Sequence, residues 1–396
     1  MAALNELSAQ EIGRRLRIAR ENARVRQDDA AQVIGVSRPT LVSIEQGVRR
    51  VRIQEIQLLA RHYRVSVNGL LRREAVHTDL VPRFRKLRET EDEHTLEAVR
   101  LLNDLIKADV ELENVLGIQR RRNYPPERGI NEGDVAVLGE AHAAELREWL
   151  GLGQGPISDI FSIIEHGLGI RLYQRRLSSR SRIAGLFTYD ENVGACILLN
   201  ANHPLPRRIQ TAAHETGHFY GTRQMPEILE VDERFLSRDE RYANAFGRAF
   251  VAPAESFTRS FLELKEITGK TTRRLIILLA ERYNISRQAC VLRLEELGLV
   301  KKGTWAWFEN NGGITEDHVR DVFGHSPERQ DSGKADADRL VSQRMSLMAH
   351  AAWKRELMSE GQLAELLKVS RVEFREIVDQ IELEDRDTDD LLKLAE

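Results

Sequence analysis

Cysteine is scarce in this chain: there are two in 396 residues, Cys196 and Cys290. So few thiols exclude a disulfide framework and suit a reducing compartment, each thiol serving as a small buried apolar group. Long apolar runs are missing too, and none approaches the roughly 18 residues that a membrane helix needs. The opening "MAALNELSAQ" has no basic stretch followed by an apolar one, so no secretory leader is expected. No low-complexity tract interrupts the sequence. These absences point to a soluble cytoplasmic protein with no membrane partner, and the length suggests two or three domains.

Hydrophobic residues make up 41% of the chain, enough to build cores. The net charge of -3 is unevenly spread. Residues 1–75 hold 14 Lys and Arg against 8 Asp and Glu, a net of +6, while the final "IELEDRDTDDLLKLAE" is strongly acidic. A basic head on a near-neutral chain suggests a polyanionic partner for the head alone.

Residues 11–74 read as short helices. "EIGRRLRIARENA" sets Ile12, Leu16 and Ala19 on one face, and "QDDAAQVIG" stops at Gly35. "VSRPTLVSIEQG" has Ser37 as a natural N-cap, Pro39 in its first turn and Gly47 as its stop. "IQEIQLLARHYRV" is a fourth helix and "SVNGLLRRE" a fifth. Residues 83–117 form a long charged helix or helical pair with a seam of Leu96, Val99, Leu102, Leu105 and Ile106. "QRRRNYPPERGINEGD" reads as a linker. Helices "EAHAAELREWLG" and "ISDIFSIIEHGLG" follow, then strand-like "IRLYQRRL", "IAGLFTYD" and "GACILLN", the last two joined by an "ENV" hairpin turn. Residues 271–299 and 357–381 repeat a helix-turn-helix rhythm, with "ENNGGITEDH" and "GHSPERQDSGKADADR" as loops between them.

The densest chemistry lies in "QTAAHETGHFYGTR", residues 210–223. Positions i and i+4 of a helix share a face, so His214 and His218 can present imidazoles to one metal ion. Glu215 swings to the side, where it can take a proton from a water that zinc acidifies to a pKa of about 7. Gly217 costs such a helix roughly 1 kcal/mol relative to Ala, which close packing or metal access would explain. A catalytic zinc wants a third protein ligand. Glu227, Glu230, Asp232, Glu233, Asp239 and Glu240 are the downstream acids available.

"HETGHFYG" followed by "ERYANAFGRAFVAP" resembles the ImmA/IrrE metallopeptidases, a gluzincin-like group, over about residues 140–260. That resemblance implies a zinc ion held by His214, His218 and Glu240, with Asp239 as the rival to Glu240, and Glu215 as general base. Gly247 replaces the alanine usual in the family, and Tyr242 stands where a second acid is common. Family peptidases hold substrate as an extended strand beside an edge strand, and "GACILLN" is the expected edge.

"RQDDAAQVIGVSRPTLVSIEQG" resembles the Xre/Cro-type helix-turn-helix module. The resemblance implies a third helix in the major groove of an operator, with Arg38, Thr40 and Ser43 nearest the bases and Arg38 suited to guanine. Gln27 is placed for a phosphate or base, and Arg49, Arg50 and Arg52 for phosphates. Glu45 is expected to hold the module together. Palindromic operators imply a homodimer.

The sequence therefore suggests a mainly α, multidomain protein. It would carry an N-terminal helix-turn-helix bundle (1–75), a helical connector and linker (76–135), a central α+β gluzincin-like domain with a small sheet (136–262) and a C-terminal helical region (263–396). The resemblances imply a DNA-binding zinc endopeptidase that controls genes, in stress or mobile-element response, by cutting a helix-turn-helix repressor or its own linker near Arg120–Pro126. The alternative is a transcriptional repressor or antitoxin-like regulator that uses the peptidase fold as sensor or scaffold.

Overall fold

The structure, a computed structural model, describes residues 8–63, 65, 67, 70, 93–130, 132–230, 237–324 and 341–392. Most of the expected fifth helix, residues 83–92 of the long helix and most of "GHSPERQDSGKADADR" lie outside them. The chain divides into two compact units, Met1–His77 with Asp109–Gln119 and Thr78–Ala108 with Arg120–Glu396. Among the described residues it is mainly helical, with one small sheet.

In the first unit, four helices surround one apolar centre: α1 (Ala9–Asn22), α2 (Gln27–Val33), α3 (Arg38–Glu45) and α4 (Ile53–Tyr63). Ser8 caps α1 by accepting from the Glu11 amide at 3.2 Å. Ser37 occupies the N-cap position of α3, but its hydroxyl meets that of Thr40 at 2.9 Å and makes no cap bond. Leu16, Ala30, Leu41, Ile44, Ile56 and Leu59 fill the core. The Arg20 and Glu45 side chains, both buried, pair at 2.6 Å and 3.1 Å, and Glu45 also accepts from Gln27 Nε2 at 3.1 Å. A buried charge kept in place by two partners fits the structural role expected for Glu45.

Helix α5 (Glu93–Leu116) buries Val99, Leu102, Leu105 and Ile106, the seam visible in its sequence, and half-buries Leu96.

The second unit holds α6 (Val135–Trp149), a short α7 (Ile160–Ser162) that runs into a π-helical turn, and a four-stranded sheet. The strands are β1 (Arg171–Arg175), β2 (Ile183–Asp190), β3 (Gly194–Asn200) and β4 (Glu227–Glu230), in the order β1-β3-β2-β4. Residues 191–193, "ENV", turn β2 back onto β3, with Asp190 opposite Gly194. β3 pairs with β1 in parallel and with β2 antiparallel, and all seven of its residues are buried. "GACILLN" is therefore an interior strand and not the edge the sequence suggested. Its unbroken apolar run suits a strand covered on both faces. The edge beside β2 is β4, which the sequence did not reveal.

Helix α8 (Leu205–Gly221) lies on β2 and β3 and packs against α9 (Arg238–Val251), which in turn packs against α6. A Cβ on Gly217 would sit 3.1 Å from Ala243 Cα and 3.3 Å from its carbonyl oxygen, so close packing of α8 on α9 accounts for this glycine. Tyr242, the residue in the place of an acid, is buried, and its hydroxyl meets His142 Nδ1 at 2.9 Å.

The segment read as a linker is bound to this unit along much of its length. The Asn123 amide donates to Leu168 O at 2.9 Å and the Arg128 amide to Tyr220 O at 2.9 Å. Tyr124 Oη accepts from the Ala195 amide at 3.0 Å, and Arg223 donates to Pro125 O at 2.9 Å while stacking on Phe219. Arg122 bridges to the carbonyls of Glu191 and Asn192 at the β2–β3 turn. Aromatic and arginine side chains, rather than backbone propensity, turn this proline-rich stretch into a strap.

Beyond α10 (Ala254–Thr268), the pair α11 (Arg273–Arg282) and α12 (Arg287–Glu296) forms the helix-turn-helix rhythm read at 271–299. α13 (Thr304–Asn310) and α14 (Glu316–Phe323) take up both ends of "ENNGGITEDH", leaving only 311–315 as loop. α15 (Gln343–Lys354), α16 (Glu360–Leu367) and α17 (Arg371–Leu392) complete the described chain.

Candidate functional site

The local sequence of α8 sets the geometry. His214 and His218 lie one turn apart on its buried face, and Glu240 reaches them from the first turn of α9. Ser237 caps that turn by accepting from the Glu240 amide at 3.1 Å. His214 Nε2 lies 3.3 Å from Glu240 Oε2, His218 Nε2 3.2 Å from Glu240 Oε1, and the two Nε2 atoms 3.1 Å apart. One atom from each of the three residues lies within 4.8 Å of the others. Relative exposures are 1% for His214, 0% for His218 and 7% for Glu240, so the cluster is interior. Asp239 is half-buried and outside the cluster. Asp232 and Glu233 lie outside the described residues, as do the side chains of Glu227 and Glu230.

Neighbouring groups orient the imidazoles. His214 Nδ1 meets Asn244 Oδ1 at 3.3 Å, and His218 Nδ1 meets Thr222 Oγ1 at 3.1 Å. Thr222 Oγ1 donates its own proton to His218 O at 3.4 Å, so it accepts from the ring. Acceptors on both outer sides place the protons on Nδ1 and turn the Nε2 lone pairs inward. Burial lowers the pKa of His218, with the hydrogen bond to Glu240 acting against it. Burial also works against the charged form of Glu240, but once the rings carry a proton on Nε2 as well, hydrogen bonds from His214 and His218 outweigh it and hold the carboxyl well below the usual range. Glu240 Oε2 is buried with no hydrogen-bond partner among the described residues.

Two lone pairs and a carboxylate thus converge within 3.1–3.3 Å of one another. A divalent cation satisfies all three at once. Two imidazoles with one carboxylate is a donor set that zinc accepts in hydrolytic sites. The residues fit a metal ion.

Glu215 is fully buried beside this cluster. Its carboxylate lies against β2 at Gly185, where a Cβ would come 2.5 Å from Glu215 Oε1 and 2.6 Å from Thr211 Cγ2. Gly185 is also where the β2–β4 register shifts, a bulge placed next to the site. Gly185→Ala is expected to push the carboxylate aside. If the site acts on peptides, cleavage would then fall by about 10²-fold, as a misplacement of about 1 Å can produce, with no loss of metal-binding capacity. Parallel assays of turnover and bound metal check this.

Sequence reasoning missed Gly185, Asn244 and Thr222. Asn244 lies in the "ERYANAF" motif and Thr222 four residues after His218, so spacing could have flagged both. Gly185 gives no signal before β2 is placed against α8.

In the first unit, Arg38 and Arg50 are exposed, and Arg38 Nε lies 3.4 Å from Gln27 Oε1. Gln27, half-buried, is therefore held between Arg38 and Glu45. Thr40 is half-buried, and Ser43 donates to Pro39 O at 3.0 Å. Arg49 is engaged by Glu55 at 2.8 Å and 3.1 Å, an ion pair that also lowers the Glu55 pKa. Among the expected contacts, Arg38 and Arg50 reach solvent most freely, together with Arg52.

A buried His-His-Glu cluster with an adjoining carboxylate, carried by a helix laid on a small sheet, defines a metallopeptidase-type domain. In agreement, residues 167–295 match the family model "IrrE N-terminal-like domain", and residues 11–74 match the model "Helix-turn-helix domain". The chain thus joins a helix-turn-helix DNA-binding domain to an ImmA/IrrE-type metallopeptidase domain. No curated protein matches the chain. A crystal structure of ComR from Streptococcus suis aligns over 96% of both chains at 13% identity with a TM-score of 0.16, too loose a superposition to carry a role across. Among the described residues, no helix is long and apolar enough to cross a membrane.

Proposed function

We propose that this protein is a DNA-binding, zinc-dependent endopeptidase that regulates genes by site-specific cleavage of a helix-turn-helix repressor. The observation that carries the reading is the convergence of His214, His218 and Glu240 beside the buried Glu215. When bound, zinc supplies a Lewis acid that polarises the scissile carbonyl and acidifies water. His214, His218 and Glu240 would hold the ion, and Asn244 and Thr222 would keep the imidazoles turned toward it. Glu215 accepts the proton of the attacking water and passes it to the leaving amine, the general acid–base role of a positioned carboxylate. The peptide pairs with the edge of β4, whose Leu229 lies opposite Gly185 and so one strand away from the Glu215 contact.

The helix-turn-helix domain binds an operator as a homodimer, with Arg38, Thr40 and Ser43 of α3 facing the bases, and Gln27, Arg49 and Arg50 at phosphates. Arg49 would first have to leave Glu55. Cleavage falls on a partner repressor and not on the strap at Arg120–Pro126, because the strap's backbone is already bonded to the catalytic unit. Incubating the zinc-loaded protein with purified helix-turn-helix repressors, followed by mass spectrometry, tests this. A single defined cut is expected. Intact repressors throughout would contradict the reading.

One observation favours a second reading. The four central residues are at most 7% exposed, and a closed metal site suits a structural centre more than a catalytic one. In that case the domain is a metal-stabilised sensor, and regulation is indifferent to Glu215.

A further inference from the structure

We infer that the β1–β2 loop and the first turn of α8 form a basic subsite that selects peptides with an acidic side chain about three residues N-terminal to the scissile bond. The inference rests on the peptidase reading and adds a substrate class to it.

The loop "RLSSRSR", residues 176–182, exposes Arg176, Arg180 and Arg182, and α8 exposes Arg207. The loop has a defined shape. The Ser181 amide donates to Ser178 O at 2.9 Å, and the Arg180 amide donates to Ser178 Oγ at 3.3 Å. The Ile183 amide donates to Ser181 Oγ at 3.3 Å. Asn202 Nδ2 donates to Leu177 O at 2.7 Å and ties the loop to the segment that enters α8. The four arginines therefore lie at one end of the sheet.

The inward-facing arginines nearby are used by the fold: Arg175 donates to Leu367 O at 3.1 Å, and Arg208 to Gln174 Oε1 at 2.7 Å. The four outward ones form no ion pair among the described residues. Glu373, the carboxylate that acts on Arg175, accepts from the Ser370 amide at 2.7 Å. Four like charges at one end repel one another, and the N-terminus of α8 adds its own positive potential. The surface is suited to an anionic partner.

Position decides which partner. Arg182 precedes Gly185 by three strand residues, about 10 Å. Arg207 precedes His214 by seven helical residues, again about 10 Å. The spacing 207, 211, 214, 218 keeps Arg207 on the face that carries Thr211 and both histidines. Both arginines are thus about equally far from the centre, on the same side. An extended peptide covers about 10 Å in three residues. Ile183 lies opposite Glu230, so the loop sits at the C-terminal end of β4. A peptide added antiparallel to β4 carries its N-terminal side toward this end.

The test uses the full-length zinc-loaded protein, a synthetic peptide mixture randomised at every position, and mass spectrometry of the cut sites. Asp and Glu should be enriched near the third position before the cut. The Arg182→Glu/Arg207→Glu variant should lose or reverse that preference; both residues are exposed, so the fold is kept. In parallel, anisotropy compares a fluorescein-labelled decapeptide bearing three Asp with its Lys counterpart, on the Glu215→Gln protein. The acidic peptide should bind about tenfold tighter, the combined effect of two or three partly exposed ion pairs. The charge-reversed protein should lose this selectivity. Cleavage without acidic preference, or a preference that survives charge reversal, overturns the inference and leaves the peptidase standing. Arginine-dependent binding of the acidic peptide with no cleavage at all sinks the peptidase and keeps the acidic-peptide site. Equal binding of both peptides, or a double variant that loses affinity only for duplex DNA, overturns the inference.

Discussion

On the proposed function, Glu215→Gln is expected to lower repressor cleavage by about 10²–10⁴-fold, the contribution of a positioned general base, while metal and operator should remain bound. The substitution is nearly isosteric, so the packing against Gly185 survives, and Glu215 is not one of the three converging donors. An amide cannot take the proton of the attacking water. A defined repressor–protein pair followed by quantitative mass spectrometry, with metal analysis of the same sample, measures both halves of the statement. Wild-type regulation in cells that carry Glu215→Gln would leave the sensor reading as the better one.

The second large effect is that of the metal on the domain. Without a cation, the His214 and His218 lone pairs face each other and Glu240 across 3.1–3.3 Å in a buried space. The ion relieves that repulsion only in the folded state, so it stabilises the fold by mass action, by about 4 kcal/mol at free metal a thousandfold above Kd. Chelation should therefore lower the unfolding transition of the second unit markedly. His218→Ala removes one ligand and should abolish the response to added zinc, so its transition with metal matches that with chelator. Calorimetric scans of both proteins, with and without metal, decide this. A variant that still gains stability from zinc would place the ion elsewhere.

Much of the site was legible because its chemistry lies in two short helical motifs. The i, i+4 spacing of His214 and His218 places them on one face in any α-helix, and Glu240 falls at a fixed offset from the "ANAF" run of the same helix. The helix-turn-helix core was equally readable, since Leu16, Leu41, Ile44 and Ile56 are close in sequence and short helices leave few ways to bury them. Relations between distant segments were not readable. β3 looked like an edge because its pairing with β1 joins segments separated by the whole of β2. The strap looked like a linker because its bonds run to Leu168, Ala195 and Tyr220, none of them near it in sequence. The partners of Gln27 and Arg49, Glu45 and Glu55, were not readable either, because they lie across turns whose geometry composition does not fix.

X-ray absorption at the zinc edge of the loaded full-length protein addresses the central claim most directly. One ion per chain is expected, with two imidazole nitrogens at about 2.0–2.1 Å and carboxylate oxygen at about 2.0–2.2 Å, and a spectrum that changes in Glu240→Ala. Sulfur scatterers at about 2.3 Å, or a spectrum indifferent to Glu240→Ala, would place the ion outside the His214–His218–Glu240 centre and contradict the account.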